Sequence, residues 1–334
     1  MTRSRDNPRS PAASRGPNLV AALISFAAVG ILYFNFDPTA ADADTRSLSG
    51  SLGVSRFGSP PPPALPERVS QTSKSATAQE RQGDAATNGI TSNRENRLGL
   101  LLSIMLLERG VDRLEQIDHY SATFFKQERV NGSMTDGQVM ETKFRHKPYS
   151  VYMRWLVGDK GRELLYVDGQ NDGRMMVHAG GWKARLLPAL KLEPTGSLAM
   201  SESRHPITKA GLLELARTII DYRKSDLEKG SRVRSQLIEN AKLEDQDHYC
   251  LIVEYNDQKD SPTYRKSVIY IDKQNFLPVT VQNYGWESDV PSADPSKLDE
   301  TTLLEHYAYK DIRFDIQMAD ADFEHTNSSY KFRR

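Results

Sequence analysis

The stretch VMETKFRHKPYSVYMRW, residues 139–155, decides the fold, because its large apolar side chains recur with a period of two. Met140 and Phe144 alternate with mostly charged neighbours before the Lys-Pro step, and Met153 and Trp155 continue the alternation after it. A period of two places alternate side chains on opposite faces of a β-strand. The stretch therefore predicts two consecutive strands that share one apolar face.

The same pattern continues on both sides of this stretch. Gly-rich or Asn-rich breaks such as Asn131-Gly132 supply the positive-φ residues that tight turns need, and strands joined by short turns run antiparallel. The further predicted strands are 119–130, 162–168, 174–179, 183–187, 232–239, 249–255, 266–272, 278–284 and 304–314.

Two segments change to the helical period. Leu98, Leu101, Leu102 and Met105 recur at helical spacing, which predicts a helix over about 96–117. A second helix is predicted where Leu212, Leu215, Ala216 and Ile219 share a face, with Pro206 and Thr208 as its start.

Two helices cannot cover so many strands on both sides. The sequence therefore predicts one α+β, mostly β domain over 96–334, a curved antiparallel sheet with helices packed in or over its concave face.

Composition excludes some classes of protein. The 334 residues include 44 Lys and Arg against 44 Asp and Glu. This balance argues against a nucleic-acid partner, which usually calls for a basic excess. Cys250 is the single cysteine, so the chain forms no internal disulfide, and its apolar neighbours predict a buried, inert thiol.

The N-terminal region has the pattern of a membrane-targeting segment. Residues 1–17 form a basic leader that is expected to stay in the cytoplasm, and residues 18–36 are apolar over nearly the length that spans a bilayer. We expect a single-pass inner-membrane protein with its C-terminal domain in the periplasm, attached to the membrane through residues 18–36. Ala41-Asp42-Ala43 leaves the alternative of cleavage near Ala43 and a soluble periplasmic protein.

Residues 37–95 are rich in Pro, Ser and Ala and include four consecutive prolines from Pro60 to Pro63. Such a segment buries too little apolar surface to offset the entropy of ordering it. It predicts a disordered tether between the membrane segment and the domain.

Chemical motifs are weak throughout. Asp168 to Gly173 resembles half of an EF-hand loop, but Ala179 stands where a bidentate Glu is required, so a β-hairpin turn is the better interpretation. The sequence offers no nucleophile elbow, phosphate-binding loop or paired histidine ligands. No catalytic, cofactor or metal site is predicted.

Two other segments are distinctive. Phe124–Arg129 reads as an edge strand with polar residues facing water. Ser203–Thr208 reads as a helix cap, and the alternative is that it exposes Arg204 and His205 at the rim of a cavity.

An excess of adaptable apolar side chains on the predicted strands has two interpretations. Methionine and aromatic side chains at alternating positions fill cores, but they also line malleable pockets. The candidate lining residues of an apolar cavity are Phe124, Met140, Phe144, Met153, Trp155 and Met175.

Four segments taken in order carry a family resemblance: Phe124–Val130, Phe144–Tyr152, Gly161–Val167 and Arg204–Thr208. They resemble a bacterial domain-of-unknown-function family, the one numbered 1571, from about Leu106 to the C-terminus.

That family is distantly similar to periplasmic lipoprotein carriers of the LolA/LolB type. The similarity lies in Phe125-Lys126-Gln127, Asp322-Phe323 and Tyr330-Lys331-Phe332. It implies a LolA-like incomplete β-barrel, closed by helices, whose apolar interior holds acyl chains. It transfers no functional residues.

Three functions remain open at this point. The first is a membrane-tethered envelope protein that binds lipid or lipoprotein acyl chains in an apolar cavity without catalysis. The alternative is a structural or protein-interaction module of the cell envelope with a filled core and an unknown protein partner. The third, an envelope hydrolase, would need polar groups that converge in a cleft.

Overall fold

The computed structural model describes residues 81–181, 187–286 and 297–332. The predicted leader at 1–17, the predicted membrane segment at 18–36 and most of the predicted tether lie outside these residues. Among the described residues, no helix combines the length and the apolar content that crossing a membrane requires. Membrane attachment and location therefore stay predictions.

Within the described ranges the chain forms four α-helices and twelve strands. The helices are α1 (Arg81–Leu114), α2 (Ser197–Met200), α3 (Leu212–Lys229) and α4 (Leu298–Thr302). The strands are β1 (His119–Val130), β2 (Ser133–Met134), β3 (Gln138–Arg145), β4 (Ser150–Val157), β5 (Glu163–Val167), β6 (Met175–His178), β7 (Leu190–Leu192), β8 (Val233–Leu243), β9 (Gln246–Tyr255), β10 (Lys266–Asp272), β11 (Pro278–Tyr284) and β12 (Leu303–Arg313).

The strands build one antiparallel sheet from two meanders. Its order is β7-β6-β5-β4-β3-β1-β12-β11-β10-β9-β8, with β2 paired to β1. The first and last strands of the domain meet in the middle, where Phe124 lies opposite Tyr309. In the described chain β7 and β8 are the two edges, so the sheet forms an incomplete barrel, and the predicted fold class is confirmed.

The helices cover one face of this sheet. Leu114 at the end of α1 and Leu212 at the start of α3 pack with Phe144 and its neighbours on β1 and β3 to β6. Earlier in α1 and later in α3, Ile104 and Ile219 pack on β8 to β11. The helices thus bury the apolar side chains of the face that the period of two predicted.

The C-terminal tail covers part of the opposite face. Phe323, Tyr330 and Phe332 are buried against the outward side chains of β4 to β6. The rings of Tyr152 and Tyr330 stack with centroids 4.0 Å apart. The two tail segments that carry the carrier-like resemblance therefore lie on the outer face of the barrel.

Most predicted strands are confirmed, and β1, β10 and β11 have the predicted bounds. The strand predicted at 183–187 lies almost entirely outside the described residues, and the short edge strand β7 was not predicted. The segment 168–173 is a turn between β5 and β6, with positive φ at Asn171 and Asp172. Cys250 is buried, and burial raises the pKa of its thiol to about 11.

The first helix begins earlier than predicted. It starts at Arg81, so the described helix includes residues 81–95 of the segment that was predicted to be a tether. Asn96 is held in place by Ser235 of β8, whose backbone N–H lies 3.1 Å from the Asn96 Oδ1. Once residues near Leu100 are packed, each added residue gains a helical hydrogen bond without a new nucleation step.

Candidate ligand cavity and buried carboxylate cluster

A cavity of about 320 Å³ opens between the covered face of the sheet and the start of α3. Its walls come from β1, β3 and β5, from the turns after β3 and β5, and from the first two turns of α3. The lining residues are Tyr120, Phe144, His146, Tyr149, Tyr166, Asp168, Thr208, Ala210, Gly211, Leu213, Glu214 and Arg217.

Four aromatic rings form the apolar part of the cavity. Tyr120 and Phe144 stack with centroids 4.9 Å apart, and the rings of Tyr149 and Tyr166 lie 6.1 Å apart at an angle of 55°. Tyr120 and Phe144 are also cross-strand partners on β1 and β3, so the antiparallel register brings them together.

Tyrosine hydroxyls fix the segment that closes the cavity. The Tyr120 hydroxyl accepts the Leu212 N–H at 2.8 Å, and the Tyr309 hydroxyl accepts the Gly211 N–H at 3.2 Å. The Tyr149 hydroxyl lies 2.9 Å from the carbonyl oxygens of both Ile207 and Ala210, to which its single proton can be donated. Burial raises the pKa of Tyr120 and Tyr149 well above the usual value, so these hydroxyls stay neutral.

Gly211 is required at the entry to α3. Its φ is +94°, and a Cβ there would lie 2.9 Å from the Tyr120 hydroxyl and 3.0 Å from the Phe144 ring. The predicted helix start at Pro206 and Thr208 is therefore wrong, because these residues belong to a separate 3₁₀ turn, Ile207–Lys209, before Gly211.

The mouth of the cavity carries charged groups. Glu214 binds Lys209 at 3.2 Å and Arg217 at 3.0 Å, and Arg217 also binds Glu115 at 2.5 Å. Asp168 accepts the Tyr166 hydroxyl at 3.3 Å and has no basic partner in the described chain. The cavity thus joins an aromatic floor to a rim with one unneutralised carboxylate.

His146 contributes a neutral imidazole to the wall. Its Nδ1 lies 2.6 Å from the Ile117 carbonyl oxygen, which can only accept, so the proton belongs on Nδ1. Burial lowers the pKa of His146, which keeps the ring uncharged near neutral pH.

All six residues proposed from the sequence as cavity lining are buried in one apolar cluster on the covered face. Phe144 also lines the cavity, whereas the other five pack within the cluster. Contact of all six with an acyl chain stays a prediction. Sequence reasoning missed Tyr120, Tyr149 and Tyr166, although Tyr120 and Tyr166 occupy inward positions of predicted strands.

A buried carboxylate cluster lies next to the cavity-closing segment. Glu128 of β1 and Glu305 of β12 are directly opposite each other, and their side chains are 2% and 1% exposed. The Tyr307 oxygen lies 2.5 Å from Glu128 Oε1 and 2.7 Å from Glu305 Oε2. Two like charges facing each other are unfavourable, so this pair depends on the donors around it.

Two of those donors come from the segment 203–205. The backbone N–H of Arg204 donates to Glu128 Oε2 at 3.0 Å, and His205 Nε2 lies 2.7 Å from Glu305 Oε2. Lys126 adds an ion pair to Glu128 at 3.2 Å, and the Tyr264 hydroxyl donates to Glu305. The two distinctive segments of the sequence, 124–129 and 203–208, therefore meet here.

This geometry corrects both readings of those segments. Ser203–Thr208 is not the cap of α3, because the residue before the helix is Gly211. Ser203–Thr208 instead donates hydrogen bonds to the carboxylates of the sheet. Phe124–Arg129 is not an edge strand, because β1 pairs with β3 and β12 in the centre of the sheet. Thr208 lines the cavity, whereas Arg204 and His205 are absent from its lining.

The cluster ties the cavity-closing segment to the sheet and is closed to substrate. Its two carboxylates have almost no exposed surface, so neither can reach a substrate from solvent. Within the described ranges, no group of three His, Cys, Asp or Glu side chains is placed to hold a metal ion.

The solved structures to which this chain is similar share little sequence with it. A DUF1329 family protein from Desulfovibrio piger is 13% identical, with 68% of this chain and 98% of that chain covered and a TM-score of 0.34. Lipoprotein LppX of Mycobacterium tuberculosis is 10% identical, with 65% and 98% covered and a TM-score of 0.36. A LolA superfamily protein from Nitrosomonas europaea is 12% identical, with 66% and 96% covered and a TM-score of 0.19.

Superpositions this loose support no functional argument. None of the curated proteins matches the sequence significantly. The family model for proteins of unknown function named DUF1571, in contrast, matches residues 117–332, which is most of the described domain and well over half of the chain. The chain belongs to the DUF1571 family.

Proposed function

We propose that this domain binds the hydrocarbon chain of a lipid or of a lipoprotein in its aromatic cavity and performs no chemistry on it. The observation that carries the proposal is the open cavity of about 320 Å³, lined by four aromatic rings, between the sheet and α3. A concave site that combines an apolar floor with polar groups at its rim is a common form of a small-molecule site.

The cavity is large enough to hold part of one hydrocarbon chain. Ligand pockets range from about 300 to 1,000 Å³, so this cavity lies at the small end. Burying about eight methylene groups there would contribute about 6 kcal/mol at about 0.8 kcal/mol each. This gain exceeds the lower estimates of the free energy lost on association, which begin at about 4 kcal/mol.

Three polar side chains of the cavity are engaged in structure through at least one atom each. The hydroxyls of Tyr120 and Tyr149 bind backbone groups at the start of α3, and His146 uses Nδ1 for the Ile117 carbonyl. Raised tyrosine pKa values and a lowered histidine pKa leave these side chains neutral. The proposal therefore assigns them to shape and orientation and not to catalysis.

The sequence supports a proposed location for the domain. The basic leader at 1–17 and the apolar segment at 18–36 support a domain held at the inner membrane on its periplasmic side. The alternative is a soluble periplasmic protein cleaved near Ala43. Either location gives the cavity access to lipids and lipoproteins of the envelope.

The test is mass spectrometry of lipids that co-purify with the chain lacking residues 1–80. The protein is exported to the periplasm of an expression host and purified without detergent, and circular dichroism verifies that it folds. We expect near-stoichiometric acylated species. Leu213→Trp, which fills the cavity, should abolish their retention, whereas Leu198→Trp on the exposed part of α2 should not. A folded protein free of lipid would refute the proposal.

One observation favours the alternative of a protein-interaction module. Leu98, Leu101, Leu102 and Met105 form an exposed apolar row on α1, opposite the residues that α1 buries, and Met105 is 64% exposed. Side chains at such spacing suit docking against an apolar protein surface. A photo-cross-linker at position 105 should then trap one discrete protein in cells, and the same probe at exposed Leu198 of α2 should not. Equal labelling from both positions would argue against this function.

A further inference from the structure

The electrostatics of the cavity identify a class of ligand. Two carboxylates, Asp168 and Glu214, stand in its lining against one guanidinium, Arg217. Arg217 is shared between Glu214 and Glu115, which lies outside the lining. His146 adds no positive charge near neutral pH because burial lowers its pKa. Lys209 also binds Glu214, so these three carboxylates and two cations leave one excess negative charge where a ligand enters.

Among the described residues, Asp168 is the lining carboxylate that has no basic partner. Lys209 and Arg217 both bind Glu214, whereas the contact of Asp168 is a neutral one, the Tyr166 hydroxyl at 3.3 Å. Tyr166 thus orients the carboxylate at the edge of an aromatic ring that itself lines the cavity. A carboxylate beside aromatic rings is a favourable environment for an organic cation, because ring faces and the carboxylate both attract positive charge.

We propose that the ligand carries an ammonium group, which Asp168 and the rings of Tyr149 and Tyr166 bind at the mouth while the attached hydrocarbon enters the cavity. This inference rests on the proposed function and narrows it. An aminophospholipid and a free alkylamine share this chemistry. A fatty acid does not, because its carboxylate would meet Asp168 and Glu214.

A pair of probes with the same shape measures how much the positive charge of the ligand contributes to binding. Hexyltrimethylammonium and its neutral analogue, in which carbon replaces nitrogen, have nearly the same size and apolar area. Their binding to the full-length chain in lipid nanodiscs is titrated by ligand-detected NMR, together with hexanoate. We expect the cation to bind about tenfold more tightly than the neutral isostere, an effect typical of a carboxylate combined with cation–π contacts. Hexanoate should bind more weakly than both, and the preference should shrink as salt rises.

Matched variants locate the preference. Asp168→Asn should remove the difference between cation and isostere, whereas Asp172→Asn, an exposed carboxylate in the same turn outside the lining, should preserve it. Leu213→Trp should weaken all three probes by filling the cavity. Lysophosphatidylethanolamine and an alkylamine of equal chain length then distinguish a lipid headgroup from a free amine.

The outcomes separate the two proposals. Equal affinities for the cation and the neutral isostere, blocked by Leu213→Trp, would overturn the ammonium inference and leave hydrocarbon binding intact. Binding of no probe to the folded wild-type protein would overturn both. If the Asp168→Asn variant still prefers the cation, Asp168 does not bind the ammonium group, and the inference is overturned.

Discussion

Replacing Glu305 by Gln tests whether the buried cluster stabilises the domain through a charge. The substitution keeps the size of the side chain and removes its negative charge. Burial alone would raise the pKa of Glu305, but the hydrogen bond and charge of His205 and the hydroxyls of Tyr264 and Tyr307 outweigh it and hold the pKa at about 2. The folded protein therefore stabilises the ionised form of this carboxylate.

The magnitude follows from the two pKa values. A shift from 4.5 when unfolded to about 2 when folded corresponds to about 3 kcal/mol of stability at neutral pH. Because the folded pKa is the lower one, this contribution is complete above pH 4.5 and is lost as the pH falls towards 2. Glu305→Gln should therefore lower the free energy of unfolding by about 3 kcal/mol at pH 7.

Urea denaturation at pH 7, 4.5 and 3 measures this dependence. The difference between the wild type and Glu305→Gln should be nearly the same at pH 7 and pH 4.5 and clearly smaller at pH 3, because the folded wild-type carboxylate has a pKa of about 2 and the unfolded one becomes protonated first. Glu254→Gln is the matched control, since Glu254 is partly exposed and its ion pair with Arg234 is 3.8 Å long; it should change stability by less than about 1 kcal/mol. A difference for Glu305→Gln that is the same at pH 7 and pH 3 would refute the reasoning.

Three other perturbations address the wall of the cavity, its core and a second titrating group. Gly211→Ala should destabilise the domain by about 1–3 kcal/mol more than Gly132→Ala. Both glycines have positive φ, but only Gly211 has neighbouring atoms where a Cβ would lie. Equal losses of stability in thermal unfolding would exclude the steric explanation. Phe144→Ala should cost about 3–5 kcal/mol in urea denaturation because its ring is buried, against less than about 1 kcal/mol for exposed Leu190→Ala. Burial lowers the pKa of His306 to about 4, so the wild type should lose about 2–3 kcal/mol of stability as the pH falls from 6.5 towards 4. His306→Gln should remove this part of the acid dependence, and an unchanged pH profile would contradict the assignment.

The fold could be predicted largely from local pattern. The alternation in residues 139–155 and the turn at Asn131-Gly132 required antiparallel strands, and the two helical stretches were too few to cover both faces. These features are local, because side-chain period and turn chemistry act over a few residues. The predicted helix bounds differ from the observed ones at the start of α1, which lies at Arg81, and at the start of α3, which the positive-φ glycine Gly211 delays.

The candidate site depended on contacts between distant parts of the chain. The pairing of β1 with β12 places Glu128 beside Glu305, which are far apart in sequence, and the return of the segment 203–205 supplies their donors. No local pattern marks such carboxylates as buried, since acidic residues on a strand usually face water. The sequence could predict the aromatic rings of the cavity as core residues, but it could not predict the open space between them.

By itself, the sequence determined the mostly β structure of the described region and its helices on one face, because periodicity and turn residues record local geometry. It also marked 124–129 and 203–208 as unusual without showing why. Only the tertiary structure decided that these segments meet at a buried carboxylate pair and that four aromatic rings leave a cavity beside Asp168, which has no basic partner among the described residues. The physical reason is that burial, charge balance and empty volume are properties of packing between elements, and packing is set by strand order and register across the whole sheet.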